Sequence, residues 1–275
     1  MNHEPSVDDD FDDDIDGFDD DYDDGAADDR TEISDVLDAS VGVTDPDAEA
    51  LLRAGDIEIL GRMPWSSNGT YLVTVTDGDR RCQAIYKPAS GERPLWDFPT
   101  GLWRREVAAF ELARELRWEI VPPTVERDGP LGPGSVQFFV PARFEEHYFT
   151  FKDVPEHRRS LRQLCTFDLV SNNTDRKGGH ILLSDNGHLW GIDHGLSFHE
   201  EFKLRTVMWD YAGEPIETDL IDDVARWLEA DPSAALSELL SEAEIAAMRD
   251  RANAVIAGGH FPHDPTGRRY PWPLV

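Results

Sequence analysis

Residues 171–183 read S-N-N-T-D-R-K-G-G-H-I-L-L, and residues 191–198 read G-I-D-H-G-L-S-F. The first string sets Asp175 in a polar loop, followed five residues on by His180 and the apolar run Ile181, Leu182 and Leu183. The second places Asp193 after a short apolar stretch, where it opens an Asp-x-Gly ending at Gly195. One carboxylate to orient or deprotonate a hydroxyl, and two further ligands for a cation, are the groups that phosphoryl transfer uses. Asp175 is the candidate catalytic base; Asp193 and His180 are the candidate metal ligands. Imidazole is a softer donor than the oxygens magnesium favours, so His180 points either to manganese or to a structural role. Ordinary turn chemistry is the competing explanation: Asp175 capping its own loop, and Asp193 ending a strand beside Gly195.

Upstream, I-E-I-L-G-R-M-P (57–64), T-Y-L-V-T-V-T (70–76) and C-Q-A-I-Y-K-P (82–88) have strand character. They follow T-D-P-D-A-E-A-L-L-R-A-G (44–55), read as a short helix with Asp45 as cap, Pro46 at its first position and Gly55 at its end. R-R-E-V-A-A-F-E-L-A-R-E-L (104–116) is helical in period, with Ala109, Leu112, Ala113 and Leu116 on one side. T-V-E-R-D (124–128), a turn through G-P-L-G-P-G, and S-V-Q-F-F-V (135–140) form a β-hairpin. Lys87, near the end of the third strand, is the candidate phosphate-binding lysine, and Glu106 on the next helix is its orienting partner. The loop W-S-S-N-G-T (65–70) lacks a full glycine motif, yet Ser67, Asn68 and Gly69 are small enough for a phosphate to approach their backbone. These residues equally suit a surface strand lysine, a solvated helix start and an ordinary β-turn.

Beyond Pro141 the pattern is mainly helical. H-R-R-S-L-R-Q-L-C-T-F-D-L-V-S (157–171) leads into the Asp175 loop, I-L-L and L-W-G-I-D are short strands, and helices are expected over 219–230 and 233–257. A capping pattern, Ser241 to Glu244, lies within the last of these.

The chain has 275 residues and a formal charge of −30. Residues 1–30 hold fifteen acidic side chains against one arginine. A run of this kind repels itself, so residues 1–44 are expected as a disordered acidic tail, with Phe11, Ile15, Phe18 and Tyr22 interspersed. The tail suits either a solubilising bristle or a docking segment for a basic protein partner. Such charge disfavours nucleic acid and anionic membranes as partners. The start of the chain has no secretory signal pattern, and no stretch is apolar enough for a transmembrane span. Cys82 and Cys165 are its two cysteines, read as lone buried thiols in a reducing compartment; the expected location is cytoplasmic.

N-N-T-D-R-K-G-G-H-I-L with G-I-D-H-G resembles the catalytic and metal-binding loops of the phosphatidylinositol 3-/4-kinase-like superfamily, typically D-R-H-x-x-N-I and I-D-F-G. Asp175, Arg176, Ile192, Asp193 and Gly195 align; Lys177, His180 and His194 stand where that family has histidine, asparagine and phenylalanine. N-T-D is also similar to a loop of HipA-like kinases. Residues 50–275 resemble a small actinobacterial family of the phosphatidylinositol 3-/4-kinase-like type, through Y-K-P-x-x-G-E-R-P-L-W-D-F-P, D-R-K-G-G-H and D-H-G-x-x-F-H-E-E-x-K-L-R-T-V-x-W. The resemblance implies an α+β, two-lobed protein-kinase-like fold, with a β-rich N-lobe over 45–140 and a helical C-lobe over 141–275. It implies ATP as substrate and a divalent metal, Mg or Mn. The expected reaction moves the γ-phosphoryl group of ATP to a hydroxyl acceptor, on a protein rather than a phosphoinositide, given the negative charge. The alternatives are a pseudokinase-like nucleotide-binding scaffold recruiting a basic partner through the tail, and transfer of AMP. Lys203 and Arg205 are candidate readers of an anionic acceptor. The insert 88–99, with Arg93 and Trp96, either folds over the nucleotide or packs on the lobe.

Overall fold

The computed structural model describes residues 39–64, 66 and 68–275. The expected disordered tail up to residue 38, and Ser67 of the candidate phosphate loop, lie outside the described residues.

Five antiparallel strands form one sheet in the order β1-β2-β3-β5-β4: β1 Asp56–Arg62, β2 Tyr71–Asp77, β3 Arg80–Pro88, β4 Thr124–Gly129 and β5 Gly132–Phe138. The alternation of Val73, Val75, Cys82, Ala84 and Tyr86 places one face of β2 and β3 inward, where all five are fully buried. Helix α1, Ala48–Ala54, covers that face with Leu51 and Leu52. It starts later than the sequence suggested. Asp45 and Pro46 form a turn in which the Asp45 carboxylate accepts the Asp47 amide, and Asp47 is the cap. Residues 40 and 41, expected within the tail, donate their amides to Arg81 O, and Val41 is buried in this core. The β4–β5 turn is also tighter than G-P-L-G-P-G implied, because Gly129 pairs directly with Gly132 and Pro133 and Gly134 belong to β5.

Helix α2, Leu102–Leu116, follows β3 through the insert. Its apolar stripe, Ala108, Ala109, Leu112, Ala113 and Leu116, joins the core of the helical lobe rather than the α1 core. Burying Leu112 and Leu116 contributes about 1.5–3 kcal/mol each. The position of α2, and of any residue on it, is therefore set by the larger lobe.

That lobe contains α3 Tyr148–Phe151, α4 Pro155–Ser171, the hairpin β6 Ile181–Leu183 with β7 Leu189–Gly191, and α5 Thr218–Leu228, α6 Ala234–Leu239 and α7 Glu242–Gly258. Pro155 opens α4 at a position where no amide is needed, and Asn172 ends it at φ 57°. The helix expected over 233–257 is two. Ser241 caps α7 through a reciprocal box with Glu244, and its extended backbone breaks the run. The chain end returns across this lobe: Leu274 O accepts the Gly178 amide at 2.7 Å, and Arg269 O accepts Thr206 N and Trp209 Nε1. Both cysteines are free and buried, and burial pushes the Cys82 thiol up to about 12. Among the described residues no helix is long and apolar enough to cross a membrane.

The molecule is thus an α+β, two-lobed, protein-kinase-like fold, with the β6–β7 hairpin and the loops around it facing the end of β3.

Candidate active site

Lys87 lies on β3 opposite Ser135 of β5, two residues before the chain leaves the sheet. Its ammonium contacts Glu106 of α2 and sits 2.9 Å from Asp193 Oδ1. Glu106 is buried, with one oxygen on Lys87 and the other accepting the His194 amide at 2.9 Å. The carboxylate thus ties the lysine to the backbone of the Asp-x-Gly turn. Gly195 completes that turn beside Glu106, where an added Cβ would stand 3.3 Å from the carboxylate oxygen. Burial alone would push the Lys87 ammonium down, but Asp193 and Glu106 together hold it above its ordinary value. Burial would raise Asp193, yet Lys87 and His180 hold it well below the carboxylate range; the charge of this aspartate is fixed. Glu106 is pushed up by burial, against the pull of Lys87.

Asp193 has φ 58°, an uncommon conformation that aspartate tolerates better than most residues. It aims the carboxylate into the cleft, where the side chain is 46% exposed. Across from it, His180 Nε2 stands 3.3 Å from Asp193 Oδ2. His180 Nδ1 lies 2.9 Å from Asp175 O. A carbonyl can only accept, so Nδ1 carries the hydrogen and Nε2 presents a lone pair. Burial pushes His180 down to about 4, and the ring is neutral at neutral pH. A neutral imidazole lone pair and an ionised carboxylate oxygen facing each other fit a divalent cation between them. No cluster of three or more His, Cys, Asp or Glu suited to a metal occurs among the described residues, so substrate oxygens or water would complete the shell.

Asp175 follows the αL residue Asn172, and its amide is held by Asn173 Oδ1 at 2.9 Å. Its carboxylate pairs with Lys177 at 3.1 Å. Burial raises the Asp175 carboxyl above its ordinary value, against Lys177. Lys87, Glu106, Asp175 and Asp193 line one cleft of about 340 Å³, which also reaches Asn68 and Gly69.

The loop 66–70 is fastened to the insert. Gly69 N donates to Gly91 O at 2.8 Å, and Asn68 Oδ1 accepts Arg93 N at 3.0 Å. The two glycines meet backbone to backbone: a Cβ on either would fall under 3.0 Å from the other's Cα. The insert in turn holds α2, since the Glu92 carboxylate accepts the amides of Gly101 and Trp103 at that helix's start. Lys203 does not face the cleft as an acceptor reader; its ammonium bonds Asp97 O at 2.8 Å and so ties the insert to the segment after Asp193. Arg205 is exposed.

Two features escaped the sequence reading. One is a second cavity of about 380 Å³ on the other side of Lys87, walled by Ile85, Phe138, Val140, Leu182 and Ile192, with His180 and Asp193 at its mouth. Its largely apolar lining suits a flat heteroaromatic ring. Ile85, two residues before Lys87 on the same strand face, was the available signal. The other is Arg176, fully buried, whose guanidinium forks onto Asp168 of α4 at 2.9 and 3.0 Å. It also donates to His180 O, Ile192 O and His194 Nε2 at 2.8–3.0 Å. One side chain thereby fixes both loops that carry the candidate ligands.

The family model for phosphatidylinositol 3- and 4-kinases matches residues 118–253, which include Asp175, His180 and Asp193. Protein Rv2133c of Mycobacterium tuberculosis is 38% identical over 264 residues, covering 82% of this chain and 95% of that protein. The chain belongs to the phosphatidylinositol 3- and 4-kinase-like family. Two solved structures are similar over most of the chain. Hydra Fam20 with sugar has a TM-score of 0.48 at 14% identity, covering 81% of this chain and 90% of its own. The Helicobacter pylori proinflammatory kinase CtkA has a TM-score of 0.45 at 10% identity, covering 74% and 97%. As a member of the phosphatidylinositol 3- and 4-kinase-like family, the chain is a kinase-like enzyme.

Proposed function

We propose that this protein transfers the γ-phosphoryl group of ATP to a hydroxyl on a protein. The observation that carries the reading is Lys87 held between Glu106 and Asp193, in a cleft that also contains Asp175. The apolar cavity behind Lys87 takes the base, which leaves the phosphates pointing toward the lysine and the two aspartates. The acceptor oxygen forms a bond to the γ-phosphorus while the bond from that phosphorus to the β-phosphate oxygen breaks. ADP leaves with the electron pair, and the hydroxyl proton passes to Asp175. Lys87 neutralises phosphate charge, and Glu106 keeps it in place. Asp193 and His180 would hold a divalent cation, which supplies further charge neutralisation when bound. Their donor set, one carboxylate and one imidazole lone pair, accommodates manganese more readily than an all-oxygen site would.

The test is intact-mass analysis of candidate protein acceptors after incubation with ATP and either metal. A phosphoryl adduct supports the reading; an AMP adduct on the same acceptor would replace it with nucleotide transfer. One observation favours a catalytically silent scaffold: the Gly69 amide and the Asn68 side-chain oxygen are engaged by the insert, which leaves fewer donors for phosphate. Nucleotide binding without turnover, on any acceptor, would support that second reading.

A further inference from the structure

Beside the catalytic cleft lies a separate chamber of about 510 Å³. The two share Glu92, Arg93, Leu95, Leu102 and Trp103 as a common wall, on the far side of which lie Asp175 and Asp193 of the cleft. Its charged side chains are Glu92, Arg93 and Arg104. Glu92 is engaged, because its carboxylate accepts two amides at the start of α2. Among the described residues neither arginine has a carboxylate partner: the Arg104 guanidinium lies over the Trp103 ring at 5.3 Å, and Arg93 contributes only its backbone amide, to Asn68. The chamber therefore carries two uncommitted positive charges in a chain of net charge −30. Both side chains are exposed, so their charges are open to a ligand from solvent.

We propose that this chamber is the acceptor-side subsite, and that it binds an acidic stretch of polypeptide flanking the hydroxyl to be phosphorylated. The proposal rests on the kinase reading for its placement of the reacting hydroxyl. Guanidinium groups bind carboxylates in forked pairs. Arg93, in the wall common to both cavities, holds the residue nearest the hydroxyl, and Arg104 holds one further away. The net charge of −30 favours a single segment over an anionic bilayer. Trp96 is 96% exposed on the insert and offers a flat apolar face to a passing side chain. The adjoining groove, which also contains Arg104, is bordered by Glu200 and Glu238, so the acidic segment runs toward Arg93 and not along that groove. The insert that builds the chamber is held rigidly to both neighbours, through Gly69–Gly91 on one side and Lys203–Asp97 O on the other.

The experiment uses the whole chain and fluorescein-labelled short peptides with a central serine flanked by glutamates, or by lysines at the same positions. Vesicles of phosphatidylcholine with phosphatidylserine form a third arm. Wild type is expected to bind the glutamate peptide about tenfold or more tightly than the lysine peptide, with affinity falling as salt rises. Arg93→Glu and Arg104→Glu, each replacing an exposed side chain, are expected to reverse that order, with melting temperatures reporting that the fold is intact. Equal affinity for both peptides, or a glutamate preference that survives both charge reversals, would overturn the proposal. So would binding to the vesicles alone that the reversals abolish, which would assign the arginines to a lipid headgroup. ATP binding by wild type is measured alongside. If it fails while the peptide preference tracks the arginines, the kinase reading falls and the acidic-segment subsite stands.

Discussion

His180 Nε2 and Asp193 Oδ2 face each other at 3.3 Å with no proton to share, because His180 donates its single hydrogen from Nδ1 to Asp175 O. Two acceptors at that separation repel unless a cation lies between them, and the same arrangement joins His180, the candidate ligand, to the loop of Asp175, the proposed base. We expect His180→Asn to retain cation-dependent ATP binding but to narrow the preference for manganese over magnesium, since an amide oxygen replaces a nitrogen donor. Calorimetry of ATP binding with each metal, in wild type and variant, measures the ratio directly.

The same histidine sets a pH dependence of stability. Its folded value, about 4, lies below the ordinary 6.5, so between those limits the unfolded chain binds a proton that the folded one does not. Stability therefore rises with pH across that window and is lost as pH falls through it. His194, buried and also held well below its ordinary value, adds to the same slope. Urea unfolding at pH 6.5 and 4.5 is expected to show the loss in wild type, and a slope smaller by about one proton in His180→Asn.

Lys87 neutralises two carboxylates, one of them buried. Lys87→Met leaves Glu106 without its cation and is expected to cost about 3–5 kcal/mol of stability. Adding Glu106→Gln should restore most of that stability while ATP binding stays weak, since on the proposed roles the ammonium acts on phosphate and the glutamate only holds it. A double-mutant cycle that restored ATP binding together with stability would contradict these roles.

Asp175→Asn keeps the loop's hydrogen bonds to Asn173 and His180, which are made by the Asp175 backbone. Nucleotide binding should therefore be unchanged, while transfer falls by about two to four orders of magnitude with loss of the proposed base. Single-turnover kinetics on an identified acceptor separates the two effects.

Arg176 has no water to turn to if its partner is removed. Asp168→Asn strands a buried guanidinium and is expected to destabilise the protein by about 3–5 kcal/mol. Arg176→Lys cannot fork onto Asp168 and reach His180 O and Ile192 O together, so it should raise the KM for ATP even where the fold survives. Thermal melts and steady-state kinetics check each part.

What was legible in the sequence was local. Asp175, His180 and Asp193 lie within nineteen residues, and the succession of strands along the chain around Lys87 follows from alternation and turn residues. Their convergence with Glu106 required α2 to be fixed, and the sequence signals for that were faint. Glu92 reads as a loop charge, yet it caps α2 from nine residues upstream of Gly101. Asp168 reads as one polar residue on a helix face, yet it is buried against Arg176. Lys203 looked like a substrate-facing cation because nothing in the chain shows that Asp97 O lies beside it. Burial and long-range pairing decided each of these, and neither has a period that a single sequence displays.

The measurement that bears most directly on the central claim is ATP binding by the full chain, with magnesium and with manganese, in wild type and in Asp193→Ala. Asp193 meets Lys87 through one oxygen and His180 through the other. The account predicts metal-dependent binding in wild type that is lost in the variant with either metal. Binding that is independent of metal, or that survives Asp193→Ala unchanged, would contradict it.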